Sequence, residues 1–307
     1  MRKDFVHLDV FADRAFHGNQ LAVFTDATGL DAERMQRVAN EMAFSESTFV
    51  FRPDSNGTDA RVRIFTPWRE LPMAGHPTIG TAFALAANGF IKRGAPQVTF
   101  ALGVGPTPVS LEWDNGRLLF AWMRQPLPTF GFVAKHVDKL ATGLGLEERN
   151  ITETHLPVQS VSCGVPFLFV PVATRAVVNR VRADRKALQA FFAANEQDEL
   201  PVLVFSTERG NDEATAFSRM FAEMFGVPED PATGGASGPL GAYLLHHGVV
   251  TEKQAERMWS YQGVAMGRPS RIAISVLSKR EQVSDVRVGG SCVSIGAGFL
   301  DVPEDSA

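Results

Sequence analysis

Cysteine is scarce in this chain of 307 residues: only Cys163 and Cys292 occur, and their positions match no metal-ligand spacing. No apolar run approaches the ~20 residues that a membrane-spanning helix requires. The first residues are charged where a secretory signal peptide has its apolar core. Basic residues (30) are outnumbered by acidic residues (34), so no basic surface is indicated. The sequence therefore predicts no metal site, no membrane partner and no nucleic-acid partner, and it favours a reducing, cytoplasmic setting.

Nucleotide-binding and zinc-protease motifs are also missing. The chain has no Walker loop, no dinucleotide fingerprint between a strand and a helix, and no histidine pair at helical spacing around an acid. Hydrophobic residues make up 45% of the chain and charged residues 21%, which is typical of a globular protein. The length is sufficient for two domains of ordinary size.

A repeated segment is the most informative feature that is present. Residues 70–76 and 229–235 match at an offset of 159 residues, with Glu, Pro and Gly in the same order. Each copy opens a stretch without any Asp, Glu, Lys or Arg, at residues 71–91 and 231–250. A helix that is apolar all round is a buried helix. The chain is therefore predicted to consist of two related halves, each with a buried helix that follows a Pro/Gly loop.

Periodicity and turn residues predict the other elements. Apolar residues at helical spacing predict a helix over residues 31–42, with Asp31 as its N-cap. Asn115-Gly116 lies between two strand-like segments and predicts a hairpin. The pair Gly289-Gly290 is interpreted as a turn. Most remaining segments alternate as strands.

The fold class that follows is α+β with an internal duplication, because strand-rich halves each contain one buried helix. Residues 125–128 are the best linker candidate. We therefore expect an N-terminal domain at residues 1–127 and a C-terminal domain at 128–307.

Three side chains are candidates for chemistry. His76 follows Gly75 at the start of the first buried helix, where the helix field disfavours imidazolium; the alternative is a core histidine bonded to a carbonyl. Asp230 precedes the matching helix, where an acid more often serves as a cap. Glu46 has apolar flanks that would raise its pKa toward the range useful for proton transfer; the alternative is a solvated loop glutamate. The two cysteines are interpreted as small buried strand residues, not as catalytic thiols.

These motifs occur in one order along nearly the whole chain. The segments that carry them are residues 9–12, 16–19, 22–24, 41–42, 45–49, 63–67, 70–77, 80–82, 229–234, 238–244, 262–263, 267–270 and 288–290. In this order they resemble the PhzF family, the phenazine-biosynthesis-like isomerases. The Glu-Leu-Pro…Gly-His-Pro and Glu-Asp-Pro-Ala-Thr-Gly motifs are specific to that family.

The resemblance implies a diaminopimelate-epimerase-like fold, in which two domains each wrap a mixed sheet around a central buried helix. It implies that the last strand can return to the first domain, that the site lies between the domains, and that Glu46 moves a proton while His76 and Asp230 line the site. It implies no metal and no organic cofactor, and a homodimer. The resulting hypothesis is a cofactor-independent isomerase of a small carboxylated metabolite. The expected substrate-binding residues are Asn19, Gly75, Gly234, Gly235 and Ser237.

One departure from the family pattern bears on the substrate. Gly235 stands where the family commonly has serine, and the next hydroxyl is that of Ser237. A non-catalytic metabolite-binding or scaffold protein on the same fold is therefore an alternative. An epimerase or racemase is a weaker one, because Ala74 and Thr233 stand where the thiol enzymes of this fold have cysteines.

Overall fold

The computed structural model describes residues 1–54, 56–280 and 282–303. Its strands are β1 (Arg2–Val10), β2 (Asn19–Phe24), β3 (Glu46–Phe51), β4 (Ala60–Phe65), β5 (Glu70–Leu71), β6 (Gln97–Leu102), β7 (Gly105–Asp114), β8 (Arg117–Gln125), β9 (Thr129–Val133), β10 (Gln159–Ser162), β11 (Pro166–Pro171), β12 (Val202–Ser206), β13 (Ala216–Ala222), β14 (Val227–Asp230), β15 (Met258–Gln262), β16 (Ser270–Lys279), β17 (Gln282–Gly290) and β18 (Cys292–Asp301). Its α-helices are α1 (Ala32–Met42), α2 (Gly75–Ala87), α3 (Val137–Gly143), α4 (Arg149–Thr152), α5 (Arg175–Arg180), α6 (Arg185–Ala194), α7 (Gly234–His246) and α8 (Glu252–Ala255). Within the described residues, no helix is long and apolar enough to cross a bilayer.

The chain divides into two compact units, Met1–Arg124 with Val288–Ala307, and Gln125–Arg287. In the first unit, β18 pairs antiparallel with β1 and β1 pairs antiparallel with β2. Strand β2 is parallel to β3, with α1 as the crossover, and β3 is antiparallel to β4. Strand β4 pairs antiparallel with β5 and parallel with β6. Helix α2 connects β5 to β6. The β6–β7–β8 meander completes this unit.

The second unit repeats this pairing order. Strands β9, β10 and β11 are antiparallel neighbours, and β11 is parallel to β12. Strand β13 is antiparallel to both β12 and β14 and parallel to β15, which pairs with β16. Helix α7 lies between β14 and β15 in the chain, as α2 lies between β5 and β6. The predicted α+β duplication is confirmed, with β9 in the place that β18 has in the first unit.

The two central helices are α2 and α7, each of 13 residues, and they begin 159 positions apart at Gly75 and Gly234. Nearly all of their residues are buried. Gly80 lies so close to the sheet that a Cβ there would stand 2.4 Å from Leu21 Cδ2. In α7, Tyr243 is fully buried and donates its hydroxyl to a backbone carbonyl at 2.6 Å. The predicted buried helices are thus confirmed, because only an apolar helix can be covered on all sides.

A bidentate ion pair closes the hairpin ahead of each central helix. Arg63 donates to both oxygens of Glu70 at 2.7 and 2.5 Å, and Arg219 donates to both oxygens of Glu229 at 2.8 and 2.7 Å. Arg219 also donates to three backbone carbonyls at the end of α5. The glutamates of the repeated motif therefore join the two strands of each hairpin through two parallel hydrogen bonds, just ahead of the central helix.

Several local predictions agree with the structure and one does not. Asp31 caps α1 by accepting from the Arg34 amide at 2.9 Å, and β7 and β8 form the predicted hairpin. The turn predicted at Gly289-Gly290 is wrong, because both residues continue β17. A Cβ at position 289 would lie 2.6 Å from Trp122, and one at 290 would lie 2.4 Å from Phe11. Glycine serves here for close packing under aromatic rings, not for a turn.

Candidate active site

Three of the predicted residues meet at one end of the first unit. Strands β2 and β3 are parallel, and Leu21 pairs with Glu46, so Asn19 and Glu46 lie at the same edge of the sheet. His76 is the second residue of α2. His76 Nε2 lies 3.4 Å from Glu46 Oε2, and His76 Nδ1 lies 3.2 Å from Asn19 Nδ2. The imidazole therefore lies between the asparagine amide and the glutamate carboxyl group.

His76 is neutral in this environment. Burial lowers its pKa to about 3, opposed only in part by a hydrogen bond to the backbone of Gln20. The neutral form expected from the helix start is present, but desolvation is its main cause. The contact with Glu46 is accordingly that of a neutral imidazole and a carboxyl group, not an ion pair.

Glu46 is not a solvated loop residue. It is the first residue of β3, and its side chain is only 14% exposed. The loop alternative is therefore wrong, since the carboxyl group lies against a buried imidazole at a sheet edge. A carboxyl group with limited access to water, placed beside a buried imidazole, is a candidate for proton transfer.

Asp230 belongs to a polar cluster in the second unit. It ends β14 and is buried, and Thr233 Oγ1 donates to its Oδ2 at 2.6 Å. The N-cap position of α7 is Thr233 itself. Gln262, the last residue of β15, donates to the Asp230 carbonyl at 2.7 Å and to Thr233 Oγ1 at 3.0 Å. Gln262 and Thr233 were not predicted as site residues, although Gln262-Gly263 stood among the matching motifs.

The small residues at the start of α7 differ in the hydrogen bonds that they make and in the space around them. Ser237 is fully buried, and its hydroxyl donates to the Thr233 carbonyl at 2.9 Å. The Gly234 carbonyl accepts from Gln125 Nε2 at 3.0 Å. A Cβ at Gly235 would stand 3.6 Å from Phe167 Cζ, which is ordinary van der Waals contact. A serine would therefore fit at 235, whereas the hydroxyl of Ser237 already has a backbone partner.

The helix starts at Gly75 and Gly234 are alike in one respect. Among the described residues, no side chain caps α2 or α7 through a hydrogen bond to its first amides. The first N–H groups of a helix carry the positive end of its dipole. Both starts thus combine buried glycine backbone with a field that favours negative charge.

Neither cysteine has an environment that would activate its thiol. Cys163 and Cys292 are both buried and unoxidised. Burial raises the pKa of the Cys163 thiol to about 12 and also raises that of Cys292. Neither sulfur would be a thiolate near neutral pH, which agrees with the structural role predicted for both. Among the described residues, no group of three or more His, Cys, Asp or Glu side chains is arranged to hold a metal ion.

Comparison with known proteins decides the family. A family model described as phenazine biosynthesis-like protein matches residues 8–298. The chain belongs to this family. A relative from Pseudomonas aeruginosa, named trans-2,3-dihydro-3-hydroxyanthranilate isomerase, is 37% identical over 97% of both chains. This phenazine biosynthesis-like protein is accordingly an isomerase of the type that the family contains.

Solved structures agree on the fold. A Bacillus anthracis phenazine biosynthesis protein of the PhzF family superposes with a TM-score of 0.87 at 27% identity, covering 98% of this chain and all of that one. A probable proline racemase from Agrobacterium radiobacter superposes with a TM-score of 0.67 at 10% identity, covering 98% of this chain and 93% of that one. The second likeness concerns the fold alone. The predicted diaminopimelate-epimerase-like class is confirmed.

Proposed function

We propose that this protein is a cofactor-independent isomerase that moves a proton between carbon atoms of a small carboxylated metabolite, with Glu46 as the acid/base. The observation that carries the proposal is the 3.4 Å contact of Glu46 Oε2 with the neutral, buried His76. A neutral partner does not stabilise the carboxylate as a cation would. In this proposal Glu46 accepts a proton from the substrate and returns it within one catalytic cycle.

The proposed reaction is balanced without an oxidant or a reductant. Glu46 as carboxylate removes a proton from a carbon next to a conjugated electron sink, and the bonding electrons move into that system. The resulting carboxylic acid then protonates a different carbon, which restores the carboxylate. One C–H bond is broken, another is formed, and the double bonds shift.

The helix starts supply the electrostatic part of the proposal. Negative charge that develops on the substrate is stabilised by amides at Gly75 and at Gly234-Gly235, because buried donors act strongly in a water-poor site. His76 orients the substrate and relays protons, and Asn19 holds the imidazole. The proposal requires that a bound substrate is reached both by Glu46 and His76 and by Asp230 of the second unit.

Gly235 bears on which metabolite is used. The Pseudomonas aeruginosa relative is named for trans-2,3-dihydro-3-hydroxyanthranilate. We expect weak activity of this protein on that compound, because glycine lacks the hydroxyl that the family's serine supplies. The resemblance also implies a homodimer, which light scattering of the purified protein would test.

The test is proton exchange with solvent. The protein is incubated in deuterium oxide with small unsaturated carboxylates, including trans-2,3-dihydro-3-hydroxyanthranilate, and deuterium in the recovered compounds is measured by mass spectrometry. We expect deuterium at a single carbon with the native protein, and incorporation slower by about 10²–10⁴-fold with Glu46→Gln. Thermal stabilisation by a compound that incorporates no deuterium would instead support the non-catalytic binding alternative.

A further inference from the structure

The carboxamide of Gln262 has a single possible orientation. Its Nε2 lies 2.7 Å from the Asp230 carbonyl, which can only accept, and its Oε1 lies 3.2 Å from the Thr233 backbone amide, which can only donate. The two backbone groups therefore distinguish the nitrogen from the oxygen. Gln262 is fully buried, so the side chain has no competing water contact.

This orientation determines the direction of the next hydrogen bond. Gln262 Nε2 also lies 3.0 Å from Thr233 Oγ1, and since Nε2 is a donor, the hydroxyl oxygen accepts from it. The Thr233 hydroxyl proton is then directed to Asp230 Oδ2, 2.6 Å away. The bonds run in one direction, from the amide through the hydroxyl to the carboxyl group.

The backbone around Gln262 supports the same arrangement. Gly263 has a φ of +77°, and a Cβ there would stand 2.5 Å from the Pro231 carbonyl. Only glycine allows β15 to end so close to the loop after Asp230. In the first half, the position that corresponds to Thr233 is Ala74, which has no hydroxyl. The chain of donors is therefore confined to the second half.

We infer that Gln262 and Thr233 are positioning residues that hold the Asp230 carboxylate as a hydrogen-bond acceptor for the substrate. A carboxylate oxygen that accepts a short hydroxyl bond is held in one rotamer, with its position fixed by that bond. The Asp230 carboxylate is then already oriented when a donor group of the substrate binds to it. This inference rests on the proposed function, in which Asp230 contacts the substrate.

The test compares Thr233→Val, which removes the hydroxyl at nearly constant volume, with Thr233→Ser, which keeps it. Turnover of trans-2,3-dihydro-3-hydroxyanthranilate is followed with long incubations, and kcat and KM are measured separately. We expect Thr233→Val to lower kcat/KM by about tenfold to a hundredfold, the usual effect of a lost bond to a charged group. Thr233→Ser should stay within about threefold. Thermal unfolding shows whether each variant is folded.

A double-mutant cycle with Asp230→Asn shows whether the effect passes through Asp230. We expect Thr233→Val to change the rate of Asp230→Asn by less than about twofold. Equal losses in Thr233→Val and Thr233→Ser would overturn the inference, and so would additive losses in the cycle or full activity of Asp230→Asn. Full activity of Glu46→Gln would instead refute the proposed proton transfer and leave the result of this cycle unaffected.

Discussion

Acidification should destabilise this protein through His76. The side chain is buried and neutral, with a pKa of about 3, whereas the unfolded chain has a histidine of ordinary pKa, about 6.5. Between these values the unfolded state binds a proton that the native state does not. Stability therefore falls as the pH decreases below about 6.5, and the loss continues until the pH reaches the native pKa of about 3.

The size of this loss in unfolding free energy depends little on the native pKa of His76. From about pH 7.5 to about pH 5.5, the unfolded histidine gains nearly one proton, which costs about 1.4 kcal/mol of unfolding free energy. Any native pKa below about 4.5 gives nearly the same figure, since the native imidazole stays unprotonated over that window.

The measurement is urea unfolding at both pH values for the native protein, for His76→Gln and for His155→Gln. His76→Gln should lose about 1.4 kcal/mol less than the native protein on acidification, because glutamine does not titrate. His155 is exposed, and its substitution should leave the pH dependence as it is in the native protein. Equal slopes for the native protein and His76→Gln would show that the native imidazole takes up a proton over the same pH range as the unfolded one, and the neutral-partner argument for Glu46 would fail.

Three other tests concern Glu46, Gly235 and the two cysteines. Glu46→Gln should keep the fold and reduce proton transfer by about 10²–10⁴-fold, whereas Glu41→Gln on the exposed face of α1 should not; equal rates for the two in the deuterium assay would exclude Glu46 as the acid/base. Gly235→Ser should be accommodated and should raise activity on trans-2,3-dihydro-3-hydroxyanthranilate by about tenfold to a hundredfold; full activity of the native protein would show that no hydroxyl is needed there. Cys163→Ala and Cys292→Ala should each cost about 1 kcal/mol of stability and leave kcat unchanged; inactivation by an alkylating reagent, prevented by substrate, would contradict this.

Much of the fold was predictable because the sequence patterns that indicate it lie within short segments of the chain. The offset of 159 between the two charge-free segments corresponds to the offset between the starts of α2 and α7. The cap at Asp31 and the hairpin at Asn115-Gly116 follow from the conformations of a few neighbouring residues, which is why they agree with the structure. The interpretation of Gly289-Gly290 was wrong because a glycine needed for packing looks the same in sequence as one needed for a turn.

The candidate residues themselves were visible in the sequence as motifs, but their contacts were not. Glu46 and His76 are 30 positions apart, and they meet because β2 and β3 are parallel and α2 begins at the same edge. The pKa of His76 is set by burial, which depends on everything that surrounds the helix start. Only the tertiary structure brings Gln262 to the loop between Asp230 and Thr233, since hydrogen bonds between residues distant in the chain leave no local pattern. The sequence by itself determined the duplication, the buried helices and the residue types at their starts, and the packing of strands decided which of those side chains lie next to each other.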